Sequence, residues 1–170
     1  MDASALRSLQ SPLKEKYRSE PDAAVITLEA TGTLESGIAC KLETGRALAV
    51  AGLHPATGGS GAELCSGDML LEALVACAGV TLRAVATSIG VEVAGGTVSA
   101  SGVLDFRGTL AVDRDAPVGF REIALRFELD APGADEEQLA TLIKLTERYC
   151  VVLQTLRSSP PVDVAVATTA

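Results

Sequence analysis

The spacing of apolar positions changes along the chain and predicts helices and strands in turn. Apolar residues recur at helical spacing near the N-terminus, which predicts a first helix over residues 3–17. Enrichment in β-branched residues with partial alternation then predicts three strands, at residues 24–34, 38–42 and 47–50. The chain therefore starts with one short helix followed by an extended, sheet-forming region.

A long apolar segment stands in the middle of the chain and predicts a buried helix. Asp68 is a good N-cap candidate, and the helical pattern continues to about Ser88 and ends at Gly90. The segment is apolar on most faces, which predicts burial at the centre of the molecule. Its longest apolar run, residues 70–82, contains Glu72 and is too short to span a bilayer, so we expect no membrane association.

The second half of the chain returns to strand-like alternation and then to one more helix. The helix is predicted after Asp135, where acidic residues suit its first turn. The strands are predicted at residues 91–93, 97–106, 120–129 and 162–168. Because helices and strands do not alternate regularly, this order indicates an α+β fold rather than a βαβ repeat. At 170 residues we expect one domain, residues 1–170, with residues 1–20 as an N-terminal helical extension.

Composition and charge exclude some classes of function. The chain is 48% hydrophobic with only 3% aromatic residues, so the core is expected to consist of Ala, Val and Leu. A net charge of −8 without a cluster of Lys and Arg argues against nucleic-acid binding. The first residues lack a basic start and an apolar run, which predicts a cytoplasmic protein. The sequence has one histidine, His54, and no Cys-x-x-Cys motif, so it offers few ligands for a metal ion. We therefore expect no metal and no cofactor.

Four cysteines are then the chemically informative residues. Structural disulfides are rare in a reducing compartment, so the better interpretation of these cysteines is that their thiols are reactive or simply buried. Cys77 lies inside the apolar helix and Cys150 at the end of a helical stretch, where each is either a small buried hydrophobe or half of a redox pair. Cys40 in a predicted strand and Cys65 in a loop favour packing or incidental exposure. Cys65 is also a competing resolving partner, because it stands close to the helix start.

Two segments together resemble the OsmC/Ohr family, that is, osmotically inducible protein C and organic hydroperoxide resistance protein. A Gly-rich loop at residues 58–61 precedes a helix that contains the motif Leu-Leu-x-Ala-Leu-x-x-Cys. The cysteine of this motif is Cys77. The segment at residues 147–156, which contains Cys150, is similar to the family's second cysteine motif. The resemblance covers roughly residues 20–169.

The resemblance implies a fold, a dimer and an activity. Antiparallel sheets would surround the long buried helix in an intertwined homodimer whose active sites lie at the subunit interface. The activity would be a thiol peroxidase of organic hydroperoxides in oxidative stress defence, with Cys77 as peroxidatic and Cys150 as resolving cysteine. An external dithiol would reduce the resulting disulfide, without a cofactor.

The sequence departs from the family pattern at the residues that organise the thiolate. Gly67 occupies the position of a family Glu, with Asp68 beside it as a possible substitute, and Val151 replaces the usual Pro after the second cysteine. The activating arginine has two candidates, Arg46 and Arg18. These departures favour an alternative of another class, a non-catalytic OsmC-like protein that binds a small apolar ligand at the dimer interface.

Overall fold

The chain folds as one antiparallel sheet packed against helices. The computed structural model describes residues 3–35, 39–42, 52–62 and 64–166. The strands are β1 (Val25–Glu35), β2 (Ala39–Leu42), β3 (Gly95–Asp105) and β4 (Glu122–Asp130). The helices are α1 (Ala3–Ser19), α2 (Ser66–Ile89), α3 (Phe106–Thr109), α4 (Glu136–Tyr149) and α5 (Val151–Arg157), with short 3-10 turns at Pro21–Ala24 and Pro55–Thr57. The expected α+β class is confirmed.

The four strands lie in the order β2-β1-β3-β4, and every neighbouring pair is antiparallel. In the centre of the register Ala100 of β3 lies opposite Ala30 of β1 and Leu125 of β4. Along β4 half-buried residues alternate with exposed ones, because successive side chains of a strand point to opposite faces. The alternation predicted for this strand is therefore confirmed. β4 is an edge of the sheet as far as the chain is described.

α2 lies against this sheet and supplies the centre of the core. Its fully buried leucines are Leu71, Leu74 and Leu82, whose spacing of three and eight residues keeps them on one side of the helix. They pack in one cluster with Val98 of β3 and Leu142 of α4. Each fully buried leucine contributes about 1.5–3 kcal/mol relative to an exposed one, so this face of α2 fixes the helix on the sheet.

The ends of α2 confirm one expectation and correct another. The helix ends at Gly90 as predicted, where a φ of 71° suits a residue without a Cβ. Its N-cap, however, is Cys65 rather than Asp68, and the Cys65 carbonyl accepts a hydrogen bond from the Met69 N–H at 3.1 Å. Asp68 lies at the third helical position instead. Its charge suits the first turn, but it does not start the helix.

α2 is also longer than the apolar run suggested. The whole helix, with 24 residues, is long and apolar enough to cross a membrane by length and composition alone, which the shorter run at residues 70–82 is not. Half of its most apolar window is buried inside the chain, as is typical of a core helix. The other half is not covered within the described chain, and exposed apolar side chains remain at Leu70, Val80 and Ile89.

Two predicted strands are wrong in the part of the chain that the structure describes. Val91 and Val93 are buried, but they belong to the turn from α2 to β3, where the Val91 N–H donates back to the Ala86 carbonyl at 3.0 Å. Residues 162–166 alternate as a strand would but lie exposed and form no strand. The pattern is present there without a neighbouring strand to pair with. The predicted strand at 47–50 falls outside the described residues.

Candidate functional site

Two helices bring Cys77 and Cys150 together although they are far apart in sequence. Cys77 lies half-buried in the middle of α2. Cys150 is fully buried at the junction of α4 and α5, where its N–H donates to the Thr146 carbonyl and its own carbonyl accepts from the Gln154 N–H, both at 2.9 Å. It therefore caps the end of one helix and the start of the next. The extended backbone of this one residue bends the chain and points the start of α5 at α2.

The start of α5 and two side chains surround the Cys77 sulfur with hydrogen-bond donors. Burial by itself raises the pKa of Cys77. Hydrogen bonds from the Val152 N–H, the Cys150 thiol, the Thr81 hydroxyl and the Val151 N–H outweigh it, and they hold the pKa below its ordinary value of 9.0. All four donors are neutral groups. Donors to the sulfur favour the thiolate, which is the nucleophilic form of cysteine.

Cys150 is perturbed in the opposite direction. Its burial raises the pKa to about 11, and the neighbouring Cys77 sulfur adds to the increase. At neutral pH Cys150 is therefore protonated, and its thiol is a donor to the Cys77 sulfur. Both residues are free thiols. The pair thus consists of one thiol with a lowered pKa and one that keeps its proton beside it.

The residues expected to support the thiolate lie elsewhere or outside the described chain. Arg18 lies near the end of α1, where its guanidinium pairs with Glu15 at 2.9 Å and is largely exposed. Arg46 falls within residues 43–51, outside the described residues. The donors that lower the pKa of Cys77 include neither of them. The source of a positive charge for this site therefore stays a prediction.

Asp68 is separated from Cys77 of its own chain by helix geometry. Nine residues along α2 place the two about 13.5 Å apart along the axis and on opposite sides of the helix. Burial raises the pKa of Asp68, and the nearby His54 opposes the increase. The same reasoning applies to Cys65, which lies about 18 Å from Cys77 at the N-cap of the helix. Neither side chain reaches the Cys77 sulfur within one chain.

Sequence reasoning missed several residues that the structure makes relevant. Thr81 lies four positions after Cys77, a spacing that places side chains side by side on a helix, so this signal was present in the sequence. The backbone donors of Val151 and Val152 had none, because no helix was predicted after Cys150. Arg83 is buried although it is charged, and its guanidinium donates to the Val93 carbonyl.

Two apolar grooves flank the thiol pair. The α2–α4 groove has a volume of about 380 Å³ and is lined by Val80, Thr81, Ala84, Val85, Ser88, Leu145 and Tyr149. The β4–α5 groove, of about 460 Å³, lies between β4, α4 and α5, and Leu74 and Leu153 are in its wall. Within the described ranges no group of three or more His, Cys, Asp or Glu side chains is placed to hold a metal ion. The chemistry that the described side chains offer here is that of two thiols beside apolar surfaces.

Comparison with known proteins agrees with this architecture. The family model described as OsmC-like protein matches residues 59–165. Among solved structures, an OsmC-like hydroperoxide resistance protein from Jannaschia sp. CCS1 is similar at 17% sequence identity and a TM-score of 0.62. The match covers 85% of this chain and 95% of that chain, which shows a shared fold. A search of curated proteins gave no significant match. The family match spans both cysteines and most of the described chain, and the chain belongs to the OsmC-like protein family.

Proposed function

We propose that this protein is a cysteine-based peroxidase that reduces organic hydroperoxides, with Cys77 as the attacking and Cys150 as the resolving residue. The observation that carries the proposal is the hydrogen-bonded thiol pair with its opposite pKa shifts. A nucleophile with a lowered pKa next to a thiol that stays protonated is the arrangement that a two-cysteine peroxidase needs. Membership of a family that includes a hydroperoxide resistance protein supports it.

The proposed reaction has two steps within the protein. The Cys77 thiolate attacks the distal oxygen of the hydroperoxide, the O–O bond breaks, and the alkoxide leaves and takes a proton from solvent. Cys77 is then a sulfenic acid. Cys150 attacks its sulfur, the S–O bond breaks, and the Cys150 proton leaves with the hydroxyl group as water. The product is a Cys77–Cys150 disulfide.

An external dithiol completes the cycle by thiol–disulfide exchange, in which its two thiols become a disulfide and the two cysteines regain their protons. An organic hydroperoxide is the favoured substrate because Thr81, which contacts the Cys77 sulfur, is one of the residues that line the α2–α4 groove, and the other lining side chains are largely apolar. Burying an alkyl tail there is favourable, whereas hydrogen peroxide gains nothing from it. We place the reaction in the cytoplasm, where dithiol reductants keep thiols reduced.

The protein acts as a homodimer in this proposal. The side of α2 that its own chain leaves uncovered carries apolar residues, and residues 162–166 hold exposed valines in a strand-like pattern. A second copy would cover both. Because Asp68 lies about 13.5 Å from Cys77 of its own chain, any role of Asp68 in the reaction is at the thiol of the other copy, and Arg18 or Arg46 is the candidate cation.

The homodimer has its own test. Val164→Asp puts a charge into the exposed valine pattern, and it is expected to weaken self-association measured by sedimentation equilibrium. Ala165→Asp, one residue along, points to the other side of an extended chain and is the matched control. Equal association constants for the two variants would contradict a role of this segment in dimer formation.

A binding function is the second candidate, and the β4–α5 groove is the observation that favours it. The groove is the larger of the two, and most of its lining residues are apolar, with charged residues such as Arg121 and Glu122 among them. In this hypothesis a small apolar ligand binds in the groove, and the thiols take no part in binding. Ligand binding that is unaffected by Cys77→Ser, together with no hydroperoxide consumption, would favour this function.

Steady-state kinetics distinguish the two functions. An alkyl hydroperoxide is supplied with a dithiol reductant, and its consumption is followed for the wild type and for Cys77→Ser, Cys150→Ser and Cys65→Ser. The proposal predicts no turnover with Cys77→Ser, loss of turnover with Cys150→Ser after a single oxidation, and wild-type rates with Cys65→Ser. Equal rates for the wild type and Cys77→Ser would overturn it.

A further inference from the structure

A further cavity lies at the start of α2 and takes no part in the functions proposed above. This α2-start cavity has a volume of about 410 Å³ and is bounded by residues just before α2, by the first turns of α2, by the end of β3 and by residues 118–120. None of the described side chains that line it carries a carboxylate, an ammonium or a guanidinium group. Its walls are apolar side chains, small polar ones and His54, so the cavity suits an uncharged group.

Phe120 lies between this cavity and the β4–α5 groove. Among the described residues it is the one that lines both spaces. The chain passes from one space to the other at this residue, because residues 118–119 line the cavity and residues 121–123 line the groove. α2 has the same order: Leu70 lines the cavity, and Leu74, about one turn later, lines the groove. The two spaces therefore follow one another along α2, with Phe120 at their boundary.

The sheet and α2 hold the Phe120 ring at this boundary. A Cβ at Gly102 of β3 would lie 2.6 Å from Cδ1 of the ring and closer still to Cε1, so the ring covers the place that a side chain at Gly102 would occupy. The same point lies 3.4 Å from Cδ2 of Leu71, which is fully buried. The Arg121 N–H donates to the Val103 carbonyl at 2.8 Å and fixes the neighbouring backbone on β3. Gly102 therefore makes room for the ring, which meets Leu71 there.

The charged side chains indicate how a molecule would lie in the two spaces. All of those that line either space belong to the β4–α5 groove. Within the groove Arg157 pairs with Glu147 at 2.9 Å, whereas the Arg121 guanidinium lies 3.9 Å from Asp105 in its own ion pair. A polar group is therefore accommodated in the groove, and only an uncharged tail suits the α2-start cavity.

We propose that Phe120 sets the length of the aliphatic chain that the β4–α5 groove holds, because it closes the groove toward the α2-start cavity. The ligand is a linear aliphatic molecule with one polar end, and the assignment rests on the binding function that is the second candidate for this protein. With the ring in place the tail ends at Phe120. Without the ring the tail continues along α2 into the cavity, and each methylene that leaves water raises the affinity by about fourfold.

The test measures the binding of linear 1-alkanols from octanol to dodecanol by isothermal titration calorimetry. Phe120→Ala removes the ring, and Phe120→Leu shortens the side chain while keeping apolar packing, in case the alanine variant does not fold. Val118→Ala is the matched control, because Val118 lines only the α2-start cavity and is 66% exposed. Two further buried methylenes predict that the ratio of dodecanol to octanol affinity rises by more than about tenfold in Phe120→Ala. A smaller rise is expected in Phe120→Leu and none in Val118→Ala.

Methyl NMR locates the tail of the bound alkanol. Leu104 lines the cavity and not the groove, so dodecanol is expected to shift its methyl signals in Phe120→Ala and not in the wild type. Octanol binding with equal affinity ratios in the wild type and both Phe120 variants would overturn the assignment to Phe120 and leave the binding function standing. No binding of any alkanol to any of these proteins would overturn both. Weaker self-association of Phe120→Ala without a change in the affinity ratio would assign Phe120 to contact with a second copy and also overturn the assignment.

Discussion

Replacing Cys150 by alanine tests whether the pair is organised by hydrogen bonding. In the structure the Cys150 thiol is one of four donors to the Cys77 sulfur. Its removal takes away one donor and also opens space in a fully buried position. The two effects act on alkylation of Cys77 in opposite directions. A lost donor slows the reaction at neutral pH, whereas easier access to the sulfur makes it faster.

The magnitude follows from the value of one hydrogen bond. A hydrogen bond from a neutral thiol to a thiolate is charge-assisted and contributes about 1.5–3 kcal/mol, which corresponds to roughly 1–2 pKa units. At pH values below the pKa, the thiolate fraction of Cys77 therefore falls by a factor of about 10 to 100 in Cys150→Ala. Because only the thiolate reacts at an appreciable rate, the alkylation rate of Cys77 near pH 7 is expected to fall by about the same factor.

The assay is the pseudo-first-order labelling of Cys77 by iodoacetamide, resolved from the other cysteines by peptide mass spectrometry. Cys150→Ser is the matched control, because its hydroxyl is again a donor in the same place and is expected to keep most of the wild-type rate. Near pH 7, Cys77 is therefore expected to be labelled more slowly in Cys150→Ala than in Cys150→Ser. Easier access changes the rate at every pH without moving the pH midpoint of labelling, so an unchanged midpoint for Cys77 in Cys150→Ala would refute the hydrogen-bonding account.

Two further predictions concern the scaffold. Asp105 is 1% exposed and accepts hydrogen bonds from Arg107, at 2.6 Å for the shortest contact, and these hold its pKa below the ordinary 3.8. A depressed folded pKa stabilises the protein above the unfolded pKa, and the effect disappears as pH falls through the folded pKa. Asp105→Asn is therefore expected to lower the free energy of unfolding in urea by about 2 kcal/mol at pH 7 and by clearly less below pH 3.8. An equal loss at both pH values would contradict this prediction. Gly96 has a φ of 145°, and a Cβ there would lie 2.3 Å from the Glu128 carbonyl oxygen, whereas one at Gly95 would meet nothing within 4 Å. Gly96→Ala is expected to lower the free energy of unfolding by about 2 kcal/mol or more and so to lower the thermal midpoint, whereas Gly95→Ala changes the midpoint far less. Similar midpoints for the two variants would contradict this prediction.

Local patterns predicted much of the scaffold because single elements decide them. The end of α2 at Gly90 and the alternation of β4 both follow from one residue or one strand. α5 was missed because it begins with Val151 and Val152, which favour strands, and because the preceding turn at Cys150 depends on packing against α2. The valines at 162–166 have the pattern of a strand, but a strand also needs a partner, and none lies beside them in the part of the chain that the structure describes.

The thiol pair shows a different limit. The distance between Cys77 and Cys150 along the chain carries no information on their distance in space, so only the resemblance to a family indicated the pairing. Asp68 was expected to support the thiolate because it stands beside the position of a family Glu; helix geometry separates it from Cys77 of its own chain, and its role stays a prediction. Thr81 was accessible from its spacing alone, but its importance depends on knowing that the Cys77 sulfur takes part in hydrogen bonds.

Disulfide mapping after one turnover tests the central claim most directly. The fully reduced protein is mixed with one equivalent of an alkyl hydroperoxide in the absence of reductant, free thiols are counted, and crosslinked peptides are identified by mass spectrometry. The account predicts rapid loss of two thiols per chain as a Cys77–Cys150 disulfide, and no such product in Cys77→Ser. No reaction with the hydroperoxide, or slow oxidation of Cys40 or Cys65 while Cys77 and Cys150 remain free, would contradict it.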